Sequence, residues 1–118
     1  MARAKIDKPY NGGTWSKARF MGFLRSALRK ASTRWGPKNE VKRAARRAYK
    51  GPNNRQKWEY RCEICGLYFS GKEVEVDHII PCGSLTCLEE LPGFARRLFC
   101  EVDGLRVLCK ECHATRVD

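Results

Sequence analysis

Histidine is almost missing from this chain. Of 118 residues only two are histidine, His78 and His113, so any imidazole chemistry must use one of these two positions. Acid is scarce in the first half: residues 1–61 carry 18 Lys and Arg against 3 Asp and Glu, a surplus of 15 positive charges. Residues 62–118 carry 6 against 10, a deficit of 4, and the whole chain stands at +11. So basic a half points to a polyanion, nucleic acid foremost; a merely solubilising surface is the plainer reading. Long apolar runs are lacking too. No stretch nears the ~18 residues of a membrane-spanning helix, and Met1-Ala2-Arg3-Ala4-Lys5 lacks the apolar core of a secretory leader. The expectation is a reducing, cytoplasmic setting. An even set of cysteines is also lacking: there are seven, which argues against a closed disulfide framework.

The length fits one domain with a small core, with room for an appendage. Residues 1–13 read as a basic arm ending in the turn chemistry of Lys8-Pro9-Tyr10-Asn11-Gly12-Gly13. Thr14 is a fair N-cap for a helix from Trp15 to about Arg34, because Phe20, Phe23, Leu24, Ala27, Leu28 and Ala31 recur at helical spacing. Phe20, Leu24 and Leu28 are expected to pack inward, leaving a cationic face. Gly36-Pro37 stops that helix. Asn39 can cap a second one over about Glu40–Lys50, a strong helix former in which Arg43, Arg46 and Arg47 cluster. Gly51-Pro52-Asn53-Asn54 reads as a linker, so the chain divides into a basic helical extension, 1–57, and a second unit, 58–118. There the period shortens. Leu67-Tyr68-Phe69 and Val74-Glu75-Val76 look like strands joined by a hairpin turn at Ser70-Gly71-Lys72. Pro92 can start a short helix with Leu91, Phe94 and Leu98 inward. Leu105–Leu108 is a further strand, and the stretch after Cys109 a short helix presenting His113. The fold class expected is α+β.

Two Cys-x-x-Cys pairs, Cys62/Cys65 and Cys109/Cys112, stand in this second unit. A spacing of two puts both sulfurs on one side of a tight turn, and two such turns complete the tetrahedron that zinc prefers. Gly66 frees the backbone to turn around the ion. Redox use of either pair is the alternative. Cys82, Cys87 and Cys100 lack partner spacing and read as small buried apolar residues. Asp77-His78 is the remaining signal; taken alone it is equally a hydrogen-bonded pair in a loop.

Cys-x-x-Cys, then Asp-His-Ile-Ile-Pro at 77–81, then Gly-Leu-Arg-Val-Leu-Cys-x-x-Cys-His at 104–113 together resemble the HNH endonucleases, the ββα-metal nuclease group, and are most similar to small free-standing HNH proteins common in phage genomes. The resemblance covers about residues 59–116. It implies a zinc-stabilised ββα-metal core. It also implies a divalent-metal-dependent phosphodiester hydrolase with His78 as general base and the catalytic metal held by Asp77 and His113. Arg116 matches a Lys common after the final His and would reach a phosphate. The chemistry is coherent in itself: an imidazole near pKa ~6.5 suits a base at neutral pH. One carboxylate with one imidazole leaves positions open for phosphate and water. Magnesium is the expected ion, with manganese, nickel or zinc acceptable to the same donors. Where many members carry Asn, this chain has Gly104, which leaves Asp103 or a backbone carbonyl to steady His78. The expected partner is DNA, cut or nicked by a monomer or dimer in the cytoplasm, the host's if the protein is phage-encoded, with Arg43, Arg46 and Arg47 adding affinity. The other readings are a zinc-stabilised DNA-binding accessory of a phage packaging or recombination machine, and, more remotely, an RNA binder or RNase.

Overall fold

The computed structural model describes residues 7–115; Arg116 lies outside them. The first feature of these residues is a closed turn. Asn11, Gly12 and Gly13 all take left-handed backbone angles, which lets Tyr10 and Trp15 exchange backbone hydrogen bonds of 3.2 and 2.9 Å. Thr14 is used inside this turn, its hydroxyl donating to Asn11 O at 2.7 Å. Ser16, not Thr14, therefore caps helix α1 (Lys17–Ser32), accepting from Arg19 N. Phe20, Leu24 and Leu28 lie inward as expected, packed with buried Met21 against a core of Cys82, Leu85, Phe94 and Leu98.

The second helix departs from expectation. α2 spans Gly36–Ala44, starting earlier and ending six residues sooner than the 40–50 segment. Pro37 sits in its first turn, where the missing N–H costs nothing and the fixed φ favours helix. The proline that ends one helix thus begins the next, and Asn39 caps nothing. Arg46–Ala48 form strand β1, antiparallel to β2 (Trp58–Arg61) with Arg46 opposite Tyr60 and Ala48 opposite Trp58. Cross-strand pairing has overridden helix propensity here. The stretch at 51–54 is the bend of this hairpin, so the sheet runs across the boundary drawn at residue 57.

β2 also pairs with β3 (Tyr68–Phe69). The expected hairpin between β3 and the next strand does not form. Glu73 accepts from the Ser70 amide at 3.2 Å and from its hydroxyl at 2.7 Å, a capping box that winds Gly71–Glu73 into a 3-10 turn. The chain therefore leaves the first sheet instead of folding back. β4 (Val74–His78) pairs with β5 (Leu105–Cys109), Val74 opposite Cys109 and His78 opposite Leu105. Between them α3 (Leu91–Leu98) buries Phe94 and Leu98, and α4 (Lys110–Thr115) follows β5 directly. Trp35, between α1 and α2, donates its indole N–H to Cys100 O at 2.6 Å and meets Phe99 edge-on. That contact moors the basic helices to the segment after α3. Among the described residues no helix is long and apolar enough to cross a membrane.

Candidate functional site

The four paired cysteines converge. Cys62 and Cys65 flank a turn at the end of β2; Cys109 ends β5 and Cys112 lies in α4. Gly66 takes φ +76° and donates its amide to Cys62 O at 2.9 Å, while the Cys62 amide bonds Leu67 O at 2.9 Å, so the turn closes as its glycine implies. One sulfur from each residue lies within 4.8 Å of all the others. A tetrahedral ion with Zn–S near ~2.3 Å places its sulfurs about 3.8 Å apart, so the cluster could hold a metal ion such as zinc. Among the described residues it is the one His/Cys/Asp/Glu group of three or more with this closeness, and the cysteines carry no disulfide. Electrostatics point the same way. Burial pushes the Cys62 thiol up, but amides of Cys65, Cys109 and Ile64 outweigh it and bring it down to about 6. The Cys112 thiol is pushed up to about 12, first by its hydrogen bond with Cys109 and then by burial and the neighbouring sulfurs. Four sulfurs so close ionise together only with a cation among them. Of the remaining cysteines Cys82 is buried in the core, while Cys87 and Cys100 are half-buried.

His113, next to Cys112 in α4, lines an open cavity of about 490 Å³ together with Asp77 and His78. β4 ends at His78, which is how adjacent residues of a strand reach one space. His78 Nε2 lies 2.8 Å from Leu98 O. A carbonyl only accepts, so Nε2 carries the hydrogen and Nδ1 is the basic atom of the ring. The carbonyl that holds His78 thus comes from the end of α3; Asp103 is exposed, and Gly104 O instead accepts from Ile79 N at 2.9 Å.

His113 stands between two carboxylates. Its Nδ1 is 2.7 Å from Glu75 Oε2 and its Nε2 is 3.4 Å from Asp77 Oδ1. With Nδ1–H donated to Glu75, Nε2 faces Asp77 Oδ1 at 3.4 Å, a separation that a shared proton or cation bridges. Asp77 is 2% exposed, and its other oxygen is 3.0 Å from Arg106 Nε. Two donors with about 3.4 Å between them suit a common ion at ~2.0–2.2 Å from each.

Sequence reasoning missed Glu75 and Arg106. Glu75 is two residues before Asp77 on β4, hence on the same strand face, and that spacing was available. Arg106 faces Asp77 through the β4–β5 register, which no local pattern reveals. The basic cluster is also redistributed. Arg43 is exposed near the end of α2, Arg46 stacks over Trp58 at 3.9 Å, and Arg47 lies 3.5 Å over Tyr68 while pairing with Glu59 at 2.7 Å. The three sit on helix and strand, not along one helix face. No family model matches this chain, and neither curated proteins nor solved structures give a match.

Proposed function

We propose that this chain is a metal-dependent DNA endonuclease or nickase of the HNH type, with His78 as general base. The observation carrying the reading is that Asp77, His78 and His113 line one cavity while a backbone carbonyl holds His78 in the tautomer a base needs. The strand–strand–helix order of β4, β5 and α4, with a tetrathiolate cluster where β5 meets α4, supports it. His78 Nδ1 takes a proton from a water in the cavity as the water oxygen attacks phosphorus. The P–O bond to the leaving sugar oxygen breaks and that oxygen takes a proton from a second water, giving a phosphomonoester and an alcohol, while His78 returns its proton to the hydroxide left behind. Glu75 keeps the His113 ring turned toward Asp77, and Arg106 balances the far oxygen of that carboxylate. Lewis-acid stabilisation of the phosphate and leaving oxygen is what a divalent cation supplies when Asp77 and His113 hold it. The basic first half supplies charge for the DNA backbone.

A second reading has its own observation. Arg106, Asp77, His113 and Glu75 form a chain of ion pairs that a protonated His113 completes without metal. That state fits a zinc-stabilised DNA-binding accessory with no activity. Supercoiled plasmid separates the two. With magnesium or manganese added, the wild type relaxes or linearises it, and His78→Ala abolishes cutting while duplex affinity stays within about twofold. The control omits added metal instead of using a chelator, which would also strip the thiolate cluster. Plasmid left intact with every divalent metal points to the accessory; cutting retained by His78→Ala removes the residue from its role.

A further inference from the structure

The cavity holding the two histidines is not built by the cysteine half alone. α1 contributes Arg29 and Ser32 to its wall, and α2 contributes Lys38. These residues are bound into a small framework. Ser32 is 4% exposed, its hydroxyl donates to Arg29 O at 2.7 Å, and Lys38 Nζ reaches that hydroxyl at 3.3 Å. The Arg29 guanidinium lies 5.7 Å over the ring of fully buried Phe94, so the stem of the side chain rests on the core.

Several long cations elsewhere in the fold have partners. Arg47 pairs with Glu59 and Arg106 with Asp77, Arg46 stacks on Trp58, and Arg25, Lys42 and Arg97 donate to the carbonyls of Leu85, Gly71 and Cys82. Among the described residues no ion pair engages Arg29 or Lys38. Two cations stand without a carboxylate in the same cavity as an Asp–His pair and a basic imidazole. They complement a ligand carrying its own negative charge, and a planar guanidinium with a point-like ammonium suits the oxygens of a phosphate.

We propose that Arg29 and Lys38 are a phosphate clamp for this cavity, so that the basic first half completes the site and grips the phosphodiester beside His78. For its chemistry the clamp rests on the nuclease reading; for its anion binding it does not. Burial lowers the Lys38 pKa, and an arriving phosphate favours the charged ammonium again.

The test uses the zinc-loaded full chain and thymidine 3′,5′-bisphosphate as probe, with no other metal added. Only two histidines exist, so both rings can be followed by NMR. The bisphosphate is expected to move the His78 and His113 signals. Arg29→Met and Lys38→Met should each weaken the titration by about tenfold, and Lys38→Arg should keep most of it. Arg29 is exposed on α1, so Arg29→Met carries the test even if Lys38→Met loses the fold. In the plasmid assay the double variant should lose roughly 100-fold in kcat, as for removal of a transition-state donor, with plasmid affinity changed by less than about threefold. Variants that titrate like wild type overturn the clamp. A wild type that never cuts but titrates through Lys38 sinks the nuclease and keeps the clamp. Cutting at full rate by the double variant sinks the clamp and keeps the nuclease.

Discussion

Gly104 has a steric reason for being glycine. A Cβ built there would lie 2.8 Å from Cys100 Sγ and 3.1 Å from Cys100 Cβ, too close for any side chain. The residue also presents its carbonyl to Ile79 N at 2.9 Å, directly after His78, so a shift at 104 moves the loop beside that histidine. Gly104→Ala should destabilise the protein by about 1–3 kcal/mol, the usual cost of overpacking, and Cys100→Ala in the same chain should recover most of that by removing the sulfur. A double-mutant cycle in chemical denaturation reads the coupling; two additive losses would show that the sulfur is not the obstacle. Cys100 occupies the space, and the Leu98 carbonyl holds His78. Neither fact is legible in the sequence: the first depends on how the chain turns between residues 100 and 104, the second on where α3 ends relative to β4, a contact across 20 residues. What is legible is residue type at fixed short spacing: the four cysteines, Asp77-His78, and His113 after Cys112.

Among the elements, the cysteine-bearing turn between β2 and β3 should have a stability that follows its thiols. The Cys62 thiol ordinarily titrates at 9.0 and in the fold at about 6. Lowering an acid's pKa on folding means the folded chain prefers the thiolate. The stabilisation is complete above 9.0 and is lost as the pH falls through about 6. A bound dication also needs thiolates, so the metal-loaded protein should melt at progressively lower temperature over that descent. Chelation at neutral pH should remove cooperative unfolding altogether, since structural zinc contributes roughly 10–16 kcal/mol of apparent binding energy in zinc-finger peptides, about the whole stability of a small domain. Thermal melts followed by circular dichroism check both; a melting temperature indifferent to chelator, or rising with acidification, contradicts the assignment. Strand existence is read well from the sequence here and strand partners badly. Tyr68-Phe69 and Val74–Val76 are both strands, yet the Ser70/Glu73 capping box sends them to different sheets. A two-residue strand carries too little pattern to state its partner. Arg46–Ala48 is the exception, not read as a strand at all, because its helix-forming sequence yields to pairing with Trp58–Tyr60.

At the level of the whole molecule, composition divides the chain and packing unites it. Charge changes sign near residue 61, which makes a boundary at 57 look natural. The contacts run the other way. Met21, with Phe20, Leu24 and Leu28 around it, shares one core with Leu85, Phe94 and Leu98. Trp35 is tied to Cys100, and β1 forms an edge of the first sheet. Removing residues 1–57 would bare Phe94, Leu85 and Leu98, which are at most 2% exposed in the full chain. At roughly 1.5–3 kcal/mol per large apolar side chain returned to water, three of them cost about as much as a small domain has to spare. The fragment 58–118, supplied with zinc, should therefore retain an ordered cysteine cluster while losing cooperative unfolding and dispersed amide signals around α3. It should also lose the carbonyl geometry at Leu98 that sets the His78 tautomer. Cobalt substitution makes the two parts separately visible: the tetrathiolate charge-transfer band should survive in the fragment while the His78 ring signal moves to a solvent-like position. A fragment that melts as sharply as the full chain, with His78 unmoved, would show that the basic half is an independent appendage and that the cavity stands without it.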